Sequence, residues 1–267
     1  MDVKESLKEV FEACRSARAL IHHITNYVTV NDCANVVLAI GASPIMADEI
    51  SEVEEMVRLC NALVLNIGTA NSRTVEAMIK AGTVANRLQI PIVLDPVGVG
   101  ATVFRYESVK KILENVEVSV IRGNMAEIKT IAGLEAKSAG VDSLEEESEG
   151  ASIAKEVAKR LKCCIAITGK DDVVSDGRQT YLLSNGNEAL TRITGTGCMS
   201  TSLIGSFLGS SREALLSSIA GISTMAIAGE LAEKTKGNAT FHTALLDAIS
   251  QMHSRTLLDR LKIKCVE

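Results

Sequence analysis

The fold is decided by residues 62–96, ALVLNIGTANSRTVEAMIKAGTVANRLQIPIVLDP, in which an apolar run, a helical pattern and a second apolar run follow one another. The first run ends at Gly68, and the second, residues 90–96, is bounded by proline near its start and at its end. Between them, residues 72–88 place their apolar side chains on one helical face. Continuously apolar runs are typical of strands that are buried on both faces of a parallel sheet. The stretch therefore predicts a β-strand, a crossover helix and a second, parallel strand.

Alternating strand and helix patterns continue on both sides of this unit. Ser51-x-x-Glu54 is a capping-box pattern and predicts a helix start before the first strand. Asp176-Gly177 lies between two β-rich segments, 172–176 and 179–183, and predicts a hairpin. The other predicted elements are a helix over 106–115, a strand over 118–122, a helix from Met125, a helix over 154–161, a strand over 164–168 and an almost wholly helical region over 197–261.

This order of elements predicts an α/β fold with three α/β/α layers. Strands that alternate with helices form right-handed βαβ units around one mostly parallel sheet. No linker, composition break or internal repeat divides the chain, so we expect a single domain over residues 1–267. The acidic segment 142–149 is predicted to be a solvated loop or a helix start, with a mobile flap as the weaker alternative.

Composition excludes some functional classes. Hydrophobic residues make up 46% of the chain and charged residues 23%, and the mean hydropathy is +0.20, which argues against disorder and leaves apolar surface for subunit contacts. The net charge is -5 and the sequence contains no tryptophan. Nucleic-acid binding requires a basic surface and usually aromatic stacking residues. We therefore expect a protein that binds small molecules and no nucleic acid.

Cysteine usage and the N-terminus both indicate a cytoplasmic protein. None of the seven cysteines forms a CxxC pair, so neither a disulfide scaffold nor a zinc ribbon is expected. The N-terminus is charged from Asp2 onward and lacks the pattern of a signal peptide. The uncharged stretches 193–211 and 214–229 are rich in small polar residues and are predicted to be buried core helices, with no membrane span.

Candidate functional residues follow the predicted strands. In an open α/β sheet, ligands bind beyond the carboxyl ends of the strands. That rule selects Gly68, Asp95, residues 122–127, Thr168 and residues 195–198. No GxxxxGK[ST] phosphate loop occurs, and Gly98-Val99-Gly100 lacks the third glycine of a dinucleotide-binding fingerprint.

The pattern Thr194-Gly195-Thr196-Gly197-Cys198 predicts an anion-binding turn at a helix start. Its glycines allow backbone N–H groups to converge, and a helix N-terminus favours negative charge. Cys198 would lie in the first helical turn, where the same field is expected to lower its thiol pKa. The structural alternative is a glycine-rich turn that opens a tightly packed helix, and the two interpretations have about equal weight from the residues alone.

Four residues at the neighbouring strand ends could serve nucleotide binding. Asn124-x-x-Glu127 is typical of an ordinary helix cap, but its carboxylate could also hold Mg²⁺ through water. Asp95 would be the second acidic group, or part of a common Asp-Pro turn. Arg122 and Thr168 could contact phosphate oxygens. Alternatively, Arg122 could be a solvated charge at a strand end, and the Thr168 hydroxyl could bond to a backbone group.

The strand ends and the glycine turn together resemble the ribokinase superfamily. The strand ends concerned are Asp95-Pro96, Asn124-x-x-Glu127 and Thr168-Gly169. Within that superfamily, the chain resembles the hydroxyethylthiazole kinase family over nearly its whole length, most specifically in five blocks. They are residues 24–28 (ITNYV), 41–47 (GASPIMA), 65–69 (LNIGT), 95–101 (DPVGVGA) and 121–124 (IRGN). Most ribokinase-like enzymes have aspartate at the end of the anion-binding turn, whereas this chain has Cys198, as thiazole kinases do.

The resemblance implies a reaction in which ATP phosphorylates 4-methyl-5-(2-hydroxyethyl)thiazole, a step toward thiamine. It also implies a homotrimer with sites at subunit boundaries.

The resemblance further implies a role for each candidate residue. Cys198 would face the hydroxyl as base, and the phosphoryl group in transfer would be stabilised by Gly195, Thr196 and Gly197. ATP would be held by Arg122, Thr168 and Asn124, with Asp95 and Glu127 near Mg²⁺. The thiazole would be bordered by Asn26, Met46, Gly68 and Gly195.

Two alternatives remain open from the sequence. One is a kinase for hydroxymethylpyrimidine or pyridoxal, against which Cys198 and the block 24–47 argue. The other is a non-catalytic sensor of thiamine precursors, against which the intact Asp95, Glu127 and glycine turn argue more weakly. Met46 could also be an ordinary core residue.

Overall fold

A computed structural model describes residues 2–134, 143–232 and 236–266. In chain order, the elements of the first half are α1 (Val3–Ala17), β1 (Leu20–Ile24), α2 (Val30–Ile40), β2 (Ser43–Met46), α3 (Val53–Leu59), β3 (Ala62–Asn66), α4 (Ser72–Arg87), β4 (Ile92–Asp95), α5 (Val103–Asn115), β5 (Val120–Asn124) and α6 (Met125–Ile131). Those of the second half are α7 (Ser143–Leu161), β6 (Cys164–Thr168), β7 (Asp172–Ser175), β8 (Thr180–Leu183), a 3₁₀ helix (Glu188–Arg192), α8 (Thr196–Ser211), α9 (Ala214–Leu231), α10 (Asn238–Ser250), α11 (Ser254–Arg260) and β9 (Ile263–Val266).

The strands of the described residues form one sheet with the order β2-β1-β3-β4-β5-β6-β7-β8-β9. All pairs from β2 to β6 are parallel, and β6 to β9 pair antiparallel. The mostly parallel sheet and the β7–β8 hairpin are therefore confirmed. Because β3, β4 and β5 are central and parallel, their carboxyl ends meet at one edge of the sheet.

Two apolar cores lie on opposite faces of the sheet, which confirms the three-layer arrangement. In β3, Ala62 and Val64 face the core that is shared with α1, α2 and α8–α11. Leu63 and Leu65 face the core under α3–α7. Successive side chains of a strand point to opposite faces, so a strand covered on both sides needs apolar residues at every position. This explains the continuous run that the sequence shows.

Helix α9 is the one helix in the described part of the chain that is long and apolar enough to cross a membrane, and 72% of it is buried inside the fold. The prediction of a buried core helix is confirmed there. Helix α8 is likewise buried along residues 199–208.

One local prediction is wrong, and the elements before α3 and the strand β9 were not predicted. The prediction of a capping box at Ser51-x-x-Glu54 is wrong, because the N-cap of α3 is Glu52, which makes no side-chain cap. Both the N–H and the hydroxyl of Ser51 instead donate to Glu49 Oε1 at 3.3 Å. The terminal strand β9 pairs with β8. The acidic segment begins α7 at Ser143, which confirms the helix-start interpretation from that residue on; residue 142 lies outside the described residues.

Candidate active site

The glycine turn before α8 lies at the carboxyl edge of the sheet and leaves backbone donors available. Gly195 is the N-cap of α8 with φ 87°. The first helical hydrogen bond runs from Met199 N–H to Gly195 C=O at 2.8 Å. The N–H groups of Thr196, Gly197 and Cys198 precede that bond, as the first N–H groups of any helix do. Three N–H groups without an intrahelical partner therefore lie together at the start of α8, and their binding of an anion stays a prediction.

Both glycines of the turn lie in close contact with neighbouring side chains. A Cβ at Gly195 would lie 2.5 Å from Thr29 Cγ2, and its positive φ is also unfavourable for other residues. A Cβ at Gly197 would lie 2.5 Å from Arg122 Nη1. The turn is thus held between α2 and β5. The Thr196 hydroxyl donates to Leu190 C=O at 3.2 Å, so that side chain ties the turn to the 3₁₀ helix.

Cys198 is held by two amide groups. Its half-buried sulfur accepts hydrogen bonds from Asn26 Nδ2 and Asn66 Nδ2, both at 3.3 Å. Asn26 comes from the loop after β1, and Asn66 is the last residue of β3. The structure therefore brings together two of the predicted site residues, Asn26 and Cys198, and adds Asn66.

Asn66 makes four hydrogen bonds that fix the orientation of its amide. Its Oδ1 accepts from Asn26 Nδ2 and from the Gly68 N–H, both at 2.9 Å. Its Nδ2 donates to Asp95 Oδ2 at 2.9 Å and to the Cys198 sulfur. A flipped amide would set its NH₂ against the Gly68 N–H and its oxygen against the Asp95 carboxylate. No role was predicted for Asn66, although a polar residue at the end of an apolar strand was the available signal.

Burial raises the pKa of the Cys198 thiol above its ordinary value, and the nearby Asp95 carboxylate raises it further. Hydrogen bonds from Thr29, Asn66 and Asn26 offset part of this effect. The prediction of a lowered pKa is wrong, because desolvation and a like charge disfavour the thiolate more than the hydrogen-bond donors favour it.

Asp95 is fully buried at the end of β4. Its Oδ2 accepts from Thr201 Oγ1 at 2.7 Å and from Asn66 Nδ2, and Arg122 Nη1 approaches the same oxygen to 3.7 Å. Burial raises the pKa of Asp95 to about 6, although Arg122 acts in the opposite direction. Its Oδ1 is buried and has no hydrogen-bond partner among the described residues. That free carboxylate oxygen is the kind of ligand that Mg²⁺ or one of its waters would accept.

Arg122 connects the Asp95 carboxylate to the end of β6. Its Nη2 donates to Thr168 Oγ1, and its guanidinium packs directly against Gly197. Arg122 and Thr168 were predicted to hold ATP, and the structure brings both beside the anion-binding turn. The guanidinium is poorly exposed, with 13% of the side chain accessible.

Glu127 and Asn124 form the capping box that was the structural alternative. Asn124 Oδ1 accepts from the Glu127 N–H at 2.9 Å, and Glu127 Oε2 accepts from the Asn124 N–H at 2.8 Å. Glu127 Oε1 accepts from the Gly98 N–H at 2.8 Å, so each carboxylate oxygen already has one backbone donor. No group of three or more His, Cys, Asp or Glu residues that could hold a metal is found in the parts of the chain that the structure describes.

The residues predicted to border the thiazole divide into two places. Gly68 packs on Asn26, since a Cβ there would lie 2.9 Å from Asn26 Cβ, and both adjoin Cys198 through Asn66. Met46 ends the outermost strand β2 and pairs with His23 on β1, which separates it from β3 and Gly68. Met46 therefore lies one strand further out than the loop that carries Asn26 and two strands out from Gly68, and its place beside the thiazole stays a prediction.

The three-layer fold is ribokinase-like. A ribokinase-like superfamily protein from Enterococcus faecalis V583 superposes with a TM-score of 0.65 over 92% of this chain and 95% of that chain. Its sequence identity is 11%, so the similarity concerns the fold alone.

The particular family is given by closer relatives. The model of the hydroxyethylthiazole kinase family matches residues 11–255. A hydroxyethylthiazole kinase from Alkaliphilus oremlandii is 49% identical over 268 residues, with 98% of this chain and 99% of that protein covered. The structure of a hydroxyethylthiazole kinase from Pyrococcus horikoshii OT3 has 39% identity and a TM-score of 0.91, covering 98% of this chain and all of that one. The chain belongs to the hydroxyethylthiazole kinase family.

Asn66→Asp tests the amide contact to the Cys198 sulfur. The new side chain keeps its shape and both accepted hydrogen bonds, but it can no longer donate to the sulfur or to Asp95 Oδ2, and it places a second carboxyl group beside the Asp95 carboxylate. The lost hydrogen bond and the added carboxyl group both disfavour the thiolate, so the Cys198 pKa should rise above its wild-type value. The measurement is the pH dependence of iodoacetamide alkylation, followed on the Cys198 peptide by mass spectrometry.

Asn185→Asp is the matched control for this substitution. Asn185 is also buried, and its Nδ2 also donates to a carboxylate, Glu230 Oε1, at 3.0 Å, but it lies outside the Cys198 network. The control should leave the alkylation profile unchanged. Equal profiles for the wild type and Asn66→Asp would mean that Asn66 does not act on the sulfur.

Proposed function

We propose that this chain transfers the γ-phosphoryl group of ATP to the primary hydroxyl of 4-methyl-5-(2-hydroxyethyl)thiazole, a salvage step toward thiamine. Family membership over nearly the whole chain supports this reaction. The observation in the structure that carries the proposal is the position of the Cys198 sulfur, between the donors of the glycine turn and the amides of Asn26 and Asn66. An alcohol beside Asn26 and Gly68 would face both a proton acceptor and an anion-binding turn.

In the proposed step, the alcohol oxygen attacks the γ-phosphorus while its proton passes to the thiolate form of Cys198, which becomes the thiol. The bond between the γ-phosphorus and the bridging oxygen breaks, and ADP leaves with that electron pair. The N–H groups of residues 195–198 would hold the equatorial oxygens of the phosphoryl group. Phosphoryl transfer depends mainly on positioning and on charge stabilisation, which a preorganised turn supplies.

The remaining roles are proposed on the geometry of the strand ends. Arg122, Thr168 and Asn124 would contact ATP, because they lie at adjoining strand ends beside the turn. The free Oδ1 of Asp95 fits a Mg²⁺ ion or its bound water, with Glu127 acting from the outer side through water. Mg²⁺ bound with ATP would neutralise phosphate charge. Both Glu127 oxygens also hold backbone donors, so its contribution includes fixing the loop at Gly98.

A homotrimer is proposed for the site as a whole. The edge strand β2 has a free side, and all four of its residues are partly exposed, including Ile45 and Met46. A neighbouring subunit that packs on this edge would bring Met46 to a thiazole ring held by another chain; methionine is polarisable and adapts to such a ring. We further propose that residues 1–267 act as one kinase domain in the cytoplasm.

The choice of substrate is tested by ADP release with Mg-ATP and three acceptors in parallel. The thiazole alcohol should be phosphorylated well ahead of hydroxymethylpyrimidine and pyridoxal, with kcat/KM at least about tenfold higher, since one missing contact is worth about 1–3 kcal/mol. Preference for either competitor would contradict the thiazole assignment and leave the kinase class standing. No turnover with any acceptor would favour the sensor alternative.

Cys198 is tested by the pH dependence of kcat. Because burial and Asp95 raise the pKa of its thiol, kcat of the wild type should keep rising with pH beyond the ordinary thiol range near about 8.5. Cys198→Ala should lose about 10²–10⁴-fold in kcat, the usual contribution of a general base, with KM for ATP little changed. Cys198→Asp should retain activity, with its rising limb at lower pH. A Cys198→Ala profile equal to wild type would leave Cys198 only a packing role.

A further inference from the structure

Arg105 connects two loops of the site through backbone carbonyls. It is the third residue of α5, and its Nη2 donates to Gly68 C=O at 2.6 Å. Its Nη1 donates to Val97 C=O and, at 3.4 Å, to Ile67 C=O. Gly68 follows β3 on the alcohol side of the proposed site, and Val97 follows Asp95 on the phosphate side. One guanidinium therefore joins the two sides.

The position of this charge is unfavourable for the helix that carries it. A cation in the first turn of a helix opposes the helix dipole, and α5 has no acidic residue in its first turn to compensate. Among the described residues, no carboxylate lies within ion-pair distance of Arg105. The guanidinium is held by carbonyl oxygens instead. A planar fork of donors can hold two loops at a fixed separation, which an ammonium group cannot do as well.

The Val97–Gly98 peptide group is held at both of its polar ends. Arg105 donates to its carbonyl, and its N–H donates to Glu127 Oε1. Gly98 has φ 65°, and a Cβ there would lie 3.2 Å from Arg105 Nη1, so glycine suits this close approach. Glu127 in turn holds the Asn124 N–H. Hydrogen bonds through Arg105 and Glu127 thus connect the segments at the ends of β3, β4 and β5.

We propose that Arg105 is a positioning residue for phosphoryl transfer, which fixes the alcohol-side loop at Gly68 relative to the phosphate-side loop at residues 97–98. This rests on the proposed function. Arg105 would touch neither ATP nor the alcohol. Without Arg105, the alcohol-side loop at Gly68 could move away from the phosphoryl group, while Arg122 and Thr168 would still hold the nucleotide.

Loss of the Arg105 contacts should affect the alcohol more than the nucleotide. A displacement of about 1 Å can cost about 10²-fold in rate, so Arg105→Met should lower kcat/KM for the thiazole alcohol by about 10–100-fold. KM for the alcohol should rise and kcat should fall, while KM for ATP should stay within about twofold. Arg105→Lys keeps the charge but not the fork, and should lie between Arg105→Met and the wild type.

Arg15→Met is the matched control. Arg15 also donates to backbone carbonyls of separate elements, Ala39 at 2.9 Å and Ile249 at 2.7 Å, but at the far ends of α2 and α10. It should lose stability, as Arg105→Met should, yet retain the kinetic constants of the wild type. Assays are run at a temperature at which circular dichroism shows every variant to be folded.

Backbone hydrogen exchange gives a second readout that does not depend on turnover. In Arg105→Met, peptides covering residues 66–70 and 96–100 should exchange at least about tenfold faster than in the wild type and in Arg15→Met. An inactive wild type with this exchange pattern would overturn the proposed function and leave the loop-fixing role intact.

Three results would overturn the positioning role. They are kinetics of Arg105→Met that match Arg15→Met, a rise of KM for ATP as large as that for the alcohol, and wild-type behaviour of Arg105→Lys. The first would make Arg105 a stability residue only. The second would place it on the nucleotide, and the third would mean that charge without the fork suffices.

Discussion

The buried carboxylate of Asp95 fixes the layout of the candidate site, because three elements of the fold meet on it. Asp95 ends β4, and its Oδ2 accepts hydrogen bonds from Asn66 on β3 and from Thr201 on α8, while Arg122 on β5 lies 3.7 Å away. Neighbouring strands, ordinarily joined only through their backbones, are here also joined through side chains. Thr201 is three residues after Cys198, so the same contact sets the position of the sulfur.

Burying the Asp95 carboxylate costs free energy that its hydrogen bonds and Arg122 do not fully offset. Burial raises the pKa of Asp95 to about 6 in spite of Arg122, which means that its charged form is less stable in the fold than in water. Its Oδ1 lacks a protein partner among the described residues. A purely structural group would be expected to satisfy both oxygens. The arrangement is better explained by a ligand or metal that completes it, at some expense of stability.

The sequence predicted those features that depend on local pattern. The strand Cys164–Thr168, the helix start at Met125 and the glycine turn before α8 all follow from neighbouring residues. Most contacts of Asn66 and Arg105 were not predictable, because they depend on strand order. Three of the four partners of Asn66 lie 29 to 132 residues away, and those of Arg105 lie up to 38 residues away. For the same reason the sign of the Cys198 pKa shift was wrong: a helix start can be read locally, whereas burial beside Asp95 cannot.

Asp95 is ionised at neutral pH although its burial opposes the charge. The direct measurement is the free energy of unfolding of wild type and Asp95→Asn between pH 4 and 8. A folded pKa of about 6, above the ordinary 3.8, means that the folded state binds more protons in this window. Wild-type stability should therefore fall, relative to Asp95→Asn, as pH rises from about 4 through about 6, and should then level off. Asp172, whose pKa burial raises to about 7, is common to both proteins and cancels in the difference. Parallel stability curves across the range would contradict the claim.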